Sequence, residues 1–228
     1  MRVEIRIEEV INWFRDNDIP ICKSRIYLSR PFKVKGMENS AGVFLPRFYE
    51  GYIFVVDSLD EVIRRYVHES SHGSFFENFP VGKQIHKLDK RVYEKERELF
   101  GEKSIEDIYI ITTSNSRVKS RKIGLEEARK LTRRKVQFET NKDIFEINRS
   151  EFKEYSKLSE QLSLLYSEFV TYLEGFALIV TEEITRDNLG SSPLFGSYKS
   201  GYELLKAIKE KNGLKGLIQE LYRLELNI

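Results

Sequence analysis

The segment Tyr66-Val67-His68-Glu69-Ser70-Ser71-His72-Gly73 constrains this 228-residue chain more than any other. Residues four apart lie one turn apart on the same face of a helix, so His68 and His72 can reach one point with Glu69 beside them. Just upstream, Ser58-Leu59-Asp60-Glu61 reads as a capping box, which predicts a helix from there to Gly73. The chain has only three histidines, so two at this spacing around a glutamate stand out. H-E-x-x-H on a helix points to one metal ion held by His68 and His72, with Glu69 as general base. Zinc suits such chemistry because it lowers the pKa of a bound water to about 7. The plainer reading of the same residues is a polar helix face with two exposed histidines.

A third ligand has to come from elsewhere. His86 is the remaining histidine, but Lys83, Lys87 and Lys90 around it predict a solvated helix face. Asn78 stands where the metzincin pattern requires His or Asp, and this excludes that pattern.

Apolar Ile7, Val10, Ile11 and Phe14 recur at helical spacing, so an opening helix is expected, ended by Asp16, Asn17 and Pro20. Short β-branched or aromatic runs at 24–29, 31–35, 41–45 and 52–56 predict an antiparallel sheet as the main β layer, about 21–57. Further helices are expected over 81–100, 124–134 (short and basic), 150–184, 200–211 and 214–226, with a strand at 108–112 and a turn at 190–197. No internal repeat or low-complexity linker marks a domain boundary.

The 38 Lys+Arg and 36 Asp+Glu nearly cancel, giving a net charge of +2, which argues for a soluble globular protein and against general polyanion binding. Cys22 is the single cysteine, so an internal disulfide is excluded and a small core residue is expected. The N-terminus lacks the apolar run of a signal peptide and no segment reads as membrane-spanning, so a cytoplasmic location is expected. The basic runs at 117–122 and 129–135, with Tyr109 and Phe138 nearby, read as a solvated face in preference to a nucleic-acid patch. Leu158, Leu162, Leu165, Phe169 and Leu173 form a core or dimer seam by their spacing, and Trp13 reads as a core anchor.

Tyr172-Leu173-Glu174-Gly175-Phe176-Ala177 resembles the N-E-G-F-A segment of gluzincins of the aminopeptidase N family, with Leu173 in place of Asn. Gly36-Met37-Glu38-Asn39 resembles that family's G-x-M-E-N strand, thirty residues before His68, and Tyr198-Lys199-Ser200-Gly201 resembles its Y-x-K-G segment. The resemblance covers four short segments in the family's order. It departs in the roughly hundred residues between His72 and Glu174, where the family keeps about twenty, and because that family also carries other large domains, a stripped catalytic module is expected here.

The resemblance implies a zinc peptidase with Glu174 as third ligand, Glu38 binding the free α-ammonium of a peptide, and Tyr198 donating to the oxyanion. Glu168, Glu182 or Glu183 are the alternatives to Glu174, Glu38 can also be a plain turn residue, and Tyr198 a core aromatic with Tyr202 in its role. The expected fold is α+β: a thermolysin-like zincin over residues 1–228, with a mostly antiparallel sheet, an active-site helix, a helical C-terminal part and an insertion at about 80–160. The expected function is an aminopeptidase acting on peptide substrates, an oligomer being possible. Its rivals are a zinc endopeptidase and a non-catalytic zinc-containing binding module with a basic surface.

Overall fold

The structure, a computed structural model, describes residues 3–20, 22–29, 42–54, 58–100, 108–114, 117–123, 135–139, 144–187 and 194–224. The chain divides into two compact units: Met1–Lys87 with Leu165–Ile228, and Leu88–Leu164. The second unit lies within the sequence of the first.

In the first unit, helix α1 (Val3–Asp16) stops where Asn17 turns its side chain back onto the Trp13 carbonyl at 2.8 Å and Asp18 takes a left-handed conformation, φ 55°. Phe14, 2% exposed, is the buried anchor of this helix, whereas Trp13 is only half-buried. Strands β1 (Arg25–Ser29), β2 (Gly42–Leu45) and β3 (Glu50–Phe54) form a three-stranded sheet in the order β1-β3-β2. β2 and β3 are antiparallel, with Val43 opposite Tyr52, but β1 and β3 run parallel, with Tyr27 opposite Tyr52. The sheet is therefore mixed, which corrects the expectation of a mostly antiparallel layer. β1 and β3 point the same way because β2 intervenes in the chain and takes the far edge. The predicted strand at 31–35 lies outside the described residues.

Helix α2 (Leu59–Asn78) starts at Ser58, whose side chain accepts the Glu61 backbone N–H at 3.4 Å. The Glu61 carboxylate pairs with Arg65 at 2.9 Å and with Arg64. Residues 69–76 of α2 are buried without a break, and small side chains let its backbone lie close to the sheet. A Cβ on Gly73 would sit 3.1 Å from the Phe44 ring.

Helix α3 (Pro80–Phe100) begins in this unit, and its His86 is not solvated as expected. The His86 ring stacks on Tyr49 at 3.8 Å and its Nδ1 lies 2.7 Å from the Pro46 carbonyl oxygen, so it braces the turn between β2 and β3. Helix α4 (Arg149–Thr185) ends in the unit, and helix α5 (Gly196–Arg223) follows. Two helical segments lie in α5, as expected at 200–211 and 214–226, separated where Gly213 leaves helical geometry at φ 71°, ψ 174°. Phe75, Phe79 and Phe176 form an aromatic cluster with centroids 5.4–6.3 Å apart, all at most 1% exposed, that joins α2 to α4. Such pairs contribute about 0.5–1.5 kcal/mol each beyond their buried area.

In the second unit, β4 (Ile108–Ser114) pairs antiparallel with β5 (Arg117–Ile123), and β6 (Lys135–Glu139) with β7 (Ile144–Asn148). The sequence reading assigned only the first of these four strands. The basic helix expected at 124–134 lies outside the described residues. Val92, Phe152, Tyr155 and Leu158 supply buried apolar side chains here, and Lys95 bridges Glu98 at 3.1 Å and Glu154 at 3.2 Å. The whole is mostly helical with a small mixed sheet, an α+β architecture in the loose sense.

Candidate metal centre

His68 and His72 project from one face of α2, and their Nε2 atoms lie 3.0 Å apart. Glu174 of α4 closes the group, its Oε2 lying 3.4 Å from His68 Nε2 and 3.6 Å from His72 Nε2. All three side chains are largely buried. Three ligand atoms around an ion at the usual 2.0–2.2 Å, in tetrahedral arrangement, stand roughly 3.3–3.5 Å from one another. The observed triangle of 3.0, 3.4 and 3.6 Å lies close to that spacing, so the group could hold a metal ion.

The polar atoms support the same conclusion. Glu174 Oε2, Glu69 Oε2 and His72 Nδ1 are buried with no hydrogen-bond partner among the described residues. Buried polar atoms are almost always paired, so orphaned oxygens beside two converging ring nitrogens fit a cation.

Burial pushes the Glu69 carboxyl up to about 7, with the nearby Glu174 charge adding to it and His68 working against it. Glu69 is 5% exposed and sits against the sheet: a Cβ on Gly42 would lie 2.7 Å from its Oε1. The glycine at the start of β2 thus leaves the space that the carboxylate occupies. Burial likewise drives His72 down to about 4, which keeps it neutral and available as a ligand. Burial works against charge on His68, yet the adjacent carboxylates of Glu174 and Glu69 raise its pKa. Burial also works against ionisation of Glu174, but His72, His68 and the Tyr198 hydroxyl hold its carboxyl below the usual range.

Tyr198, in the first turn of α5, sets its ring nearly parallel to that of His68, with centroids 6.2 Å apart and planes at 9°. Tyr198 is 42% exposed overall, but desolvation of its hydroxyl, with the carboxylates of Glu174 and Glu69 nearby, raises its pKa. Tyr202 is committed elsewhere: its hydroxyl donates to Glu182 at 2.7 Å and accepts from Lys206 at 2.9 Å. The other glutamates named as alternatives are also placed away from the metal group. Glu168 is exposed, Glu182 holds Tyr202, and Glu183 pairs with Lys209. Glu38 lies outside the described residues.

The crossing of α4 and α5 places Glu174 and Tyr198 together. Gly175 and Gly201 meet backbone to backbone: a Cβ on Gly175 would lie 2.5 Å from the Gly201 carbonyl carbon, and one on Gly201 would lie 2.9 Å from the Gly175 nitrogen. The sequence pattern gives no sign that Gly175 and Gly201 are partners, because they lie on different helices. Gly42 lies within the predicted strand at 41–45, and the sequence assigned it no role. Cys22 is half-buried beside α2, and burial pushes its thiol up to about 12, so it is inert.

No protein-family model, curated protein or solved structure matches the chain.

Proposed function

We propose that the chain is a zinc-dependent peptidase of thermolysin-like zincin architecture, acting as an aminopeptidase on peptides with free N-termini. The observation that carries this reading is the convergence of His68, His72 and Glu174 with the buried carboxylate of Glu69, whose Oε2 has no hydrogen-bond partner among the described residues. Two imidazoles and one carboxylate are a zinc ligand set that leaves a coordination position open, and zinc held there supplies Lewis acidity at neutral pH.

The chain's own residues account for the proton movements. Glu69 has a carboxyl that titrates near neutrality, so it accepts a proton from the attacking water and returns it to the leaving amine. Tyr198, with its raised pKa, stays protonated at neutral pH and donates a hydrogen bond to the carbonyl oxygen as negative charge develops there. His72, held neutral, and Glu174, held ionised, keep their ligand atoms free of protons. The preference for free N-termini rests on Glu38 and on the resemblance of its segment to the aminopeptidase N strand.

Mass-spectrometric product analysis tests the proposal, with matched peptides bearing free or acetylated N-termini and zinc-loaded wild-type or Glu69→Gln protein. Stepwise loss of N-terminal residues from the free peptides alone, absent in the variant, is the expected result. Internal cuts in both peptide sets would make it an endopeptidase, and cleavage undiminished in the variant would remove Glu69 from the chemistry.

A further inference from the structure

In the first unit, a cleft of about 490 Å³ opens where β1 and β3 begin, beside the C-terminus of α2. Its volume lies in the range of small-molecule sites, roughly 300–1,000 Å³. None of its lining residues belongs to the metal group. The carboxylates that line it are already engaged. Glu77 accepts the Lys23 backbone N–H at 2.7 Å and the Ser24 hydroxyl, and Glu50 accepts the Tyr52 hydroxyl at 2.8 Å. The cations are not engaged in the same way. Lys23 and Arg25 flank Ser24, both are exposed, and neither forms an ion pair among the described residues. The Tyr27 hydroxyl and the Glu50 carboxylate raise the Arg25 pKa, so its charge is secure.

The rest of the lining is aromatic and amide. Phe48 is 46% exposed. Tyr49 is held in a left-handed conformation, φ 51°, uncommon for an aromatic residue, and its ring is stacked on His86 at 3.8 Å, so this wall is set in advance at some conformational cost. The Asn78 Nδ2 donates to the Ser74 carbonyl at 3.0 Å, which leaves Oδ1 to accept from a ligand N–H. Two neighbouring cations without ion pairs match a phosphate monoester, which carries about −1.5 to −2 at pH 7, better than a single carboxylate. A guanidinium also engages phosphate oxygens in pairs. An exposed aromatic ring offers a stacking surface to any nucleobase, and the cleft is larger than a phosphate alone would fill.

We propose that this cleft binds a nucleoside monophosphate, with its phosphate on Lys23 and Arg25, its base against Phe48 and a base amine on Asn78. The proposal does not depend on the peptidase reading, because it uses no residue of the metal group.

Isothermal titration calorimetry of the full chain with adenosine monophosphate, adenosine, inorganic phosphate and N-acetylphenylalanine tests it. Adenosine monophosphate is expected to bind more tightly than any of the other three. Lys23→Gln/Arg25→Gln should reduce its affinity to that of adenosine, and Phe48→Ala should weaken it by about tenfold, the size of one lost stacking contact. The affinity should be the same in zinc-loaded and chelator-treated protein. Thermal unfolding matching wild type establishes that each variant is folded. No binding of adenosine monophosphate at millimolar concentration, undiminished binding by folded Lys23→Gln/Arg25→Gln, binding that requires zinc, or tighter binding of N-acetylphenylalanine would each overturn the proposal.

Discussion

Glu69 carries two opposing demands. Buried, with its Oε2 unpartnered among the described residues, and pushed up to about 7, its carboxyl is poised for proton transfer and costly to ionise. A raised carboxyl pKa costs stability once pH exceeds the ordinary carboxylate value, and the full cost is present above the folded value. Glu69→Gln should therefore leave metal-free protein at pH 8 more stable than wild type, by on the order of 3 kcal/mol in denaturant unfolding. The same variant should lose hydrolysis by about 10²–10⁴-fold, the usual size of a general-base contribution. Equal stability of the two proteins at pH 8 would show that the carboxylate is solvated. His68, Glu69 and His72 were legible in sequence because a local spacing on a capped helix defines them. Glu174 was not legible from spacing, since about a hundred residues separate it from His72, and only the resemblance of its segment singled it out. Gly42 carried no signal at all, because its role is to be absent from the space that Glu69 fills.

Among the elements, the α4–α5 crossing is the most exposed to a single substitution. Gly201→Ala would drive a methyl into the α4 backbone, and overpacking of this kind costs about 1–3 kcal/mol. The crossing lies one residue from Glu174 and three from Tyr198, so zinc affinity should fall along with the melting temperature. Gly213→Ala offers the contrast. Its backbone, at φ 71° and ψ 174°, suits glycine alone, and strain of roughly 1–3 kcal/mol is expected with zinc affinity unchanged. Zinc titration of both variants checks the pair, and unchanged affinity in Gly201→Ala would detach the crossing from the site. The helices were legible from their caps and their 3.6-residue pattern, α2 at Ser58 above all. The β elements were less so. Parallel pairing of β1 with β3 depends on where β2 inserts, which no local pattern encodes. β5 reads Arg-Val-Lys-Ser-Arg-Lys-Ile, where charge hides the alternation, and the β6–β7 pair carries no tight-turn signal.

For the whole molecule, metal and pH are linked through the same buried groups. In metal-free protein, His72 held down at about 4 withholds stability as pH falls below its ordinary value of 6.5, and Glu69 does so as pH rises from 4.5 through about 7. A bound cation favours the ionised carboxylate and has to displace the proton that the raised pKa of His68 retains. Zinc should therefore raise the melting temperature more at pH 8 than at pH 6, where protons compete for the ligands, and differential scanning calorimetry at both pH values reads the difference. A larger effect at pH 6 would contradict this linkage. The most direct measurement is native mass spectrometry of zinc-treated wild type, Glu174→Ala and Glu182→Ala. The expected result is one zinc ion retained by wild type and by Glu182→Ala, and none by Glu174→Ala at the same free zinc. Zinc held equally by Glu174→Ala, or not held by wild type, would contradict the three-ligand centre on which the proposed chemistry rests.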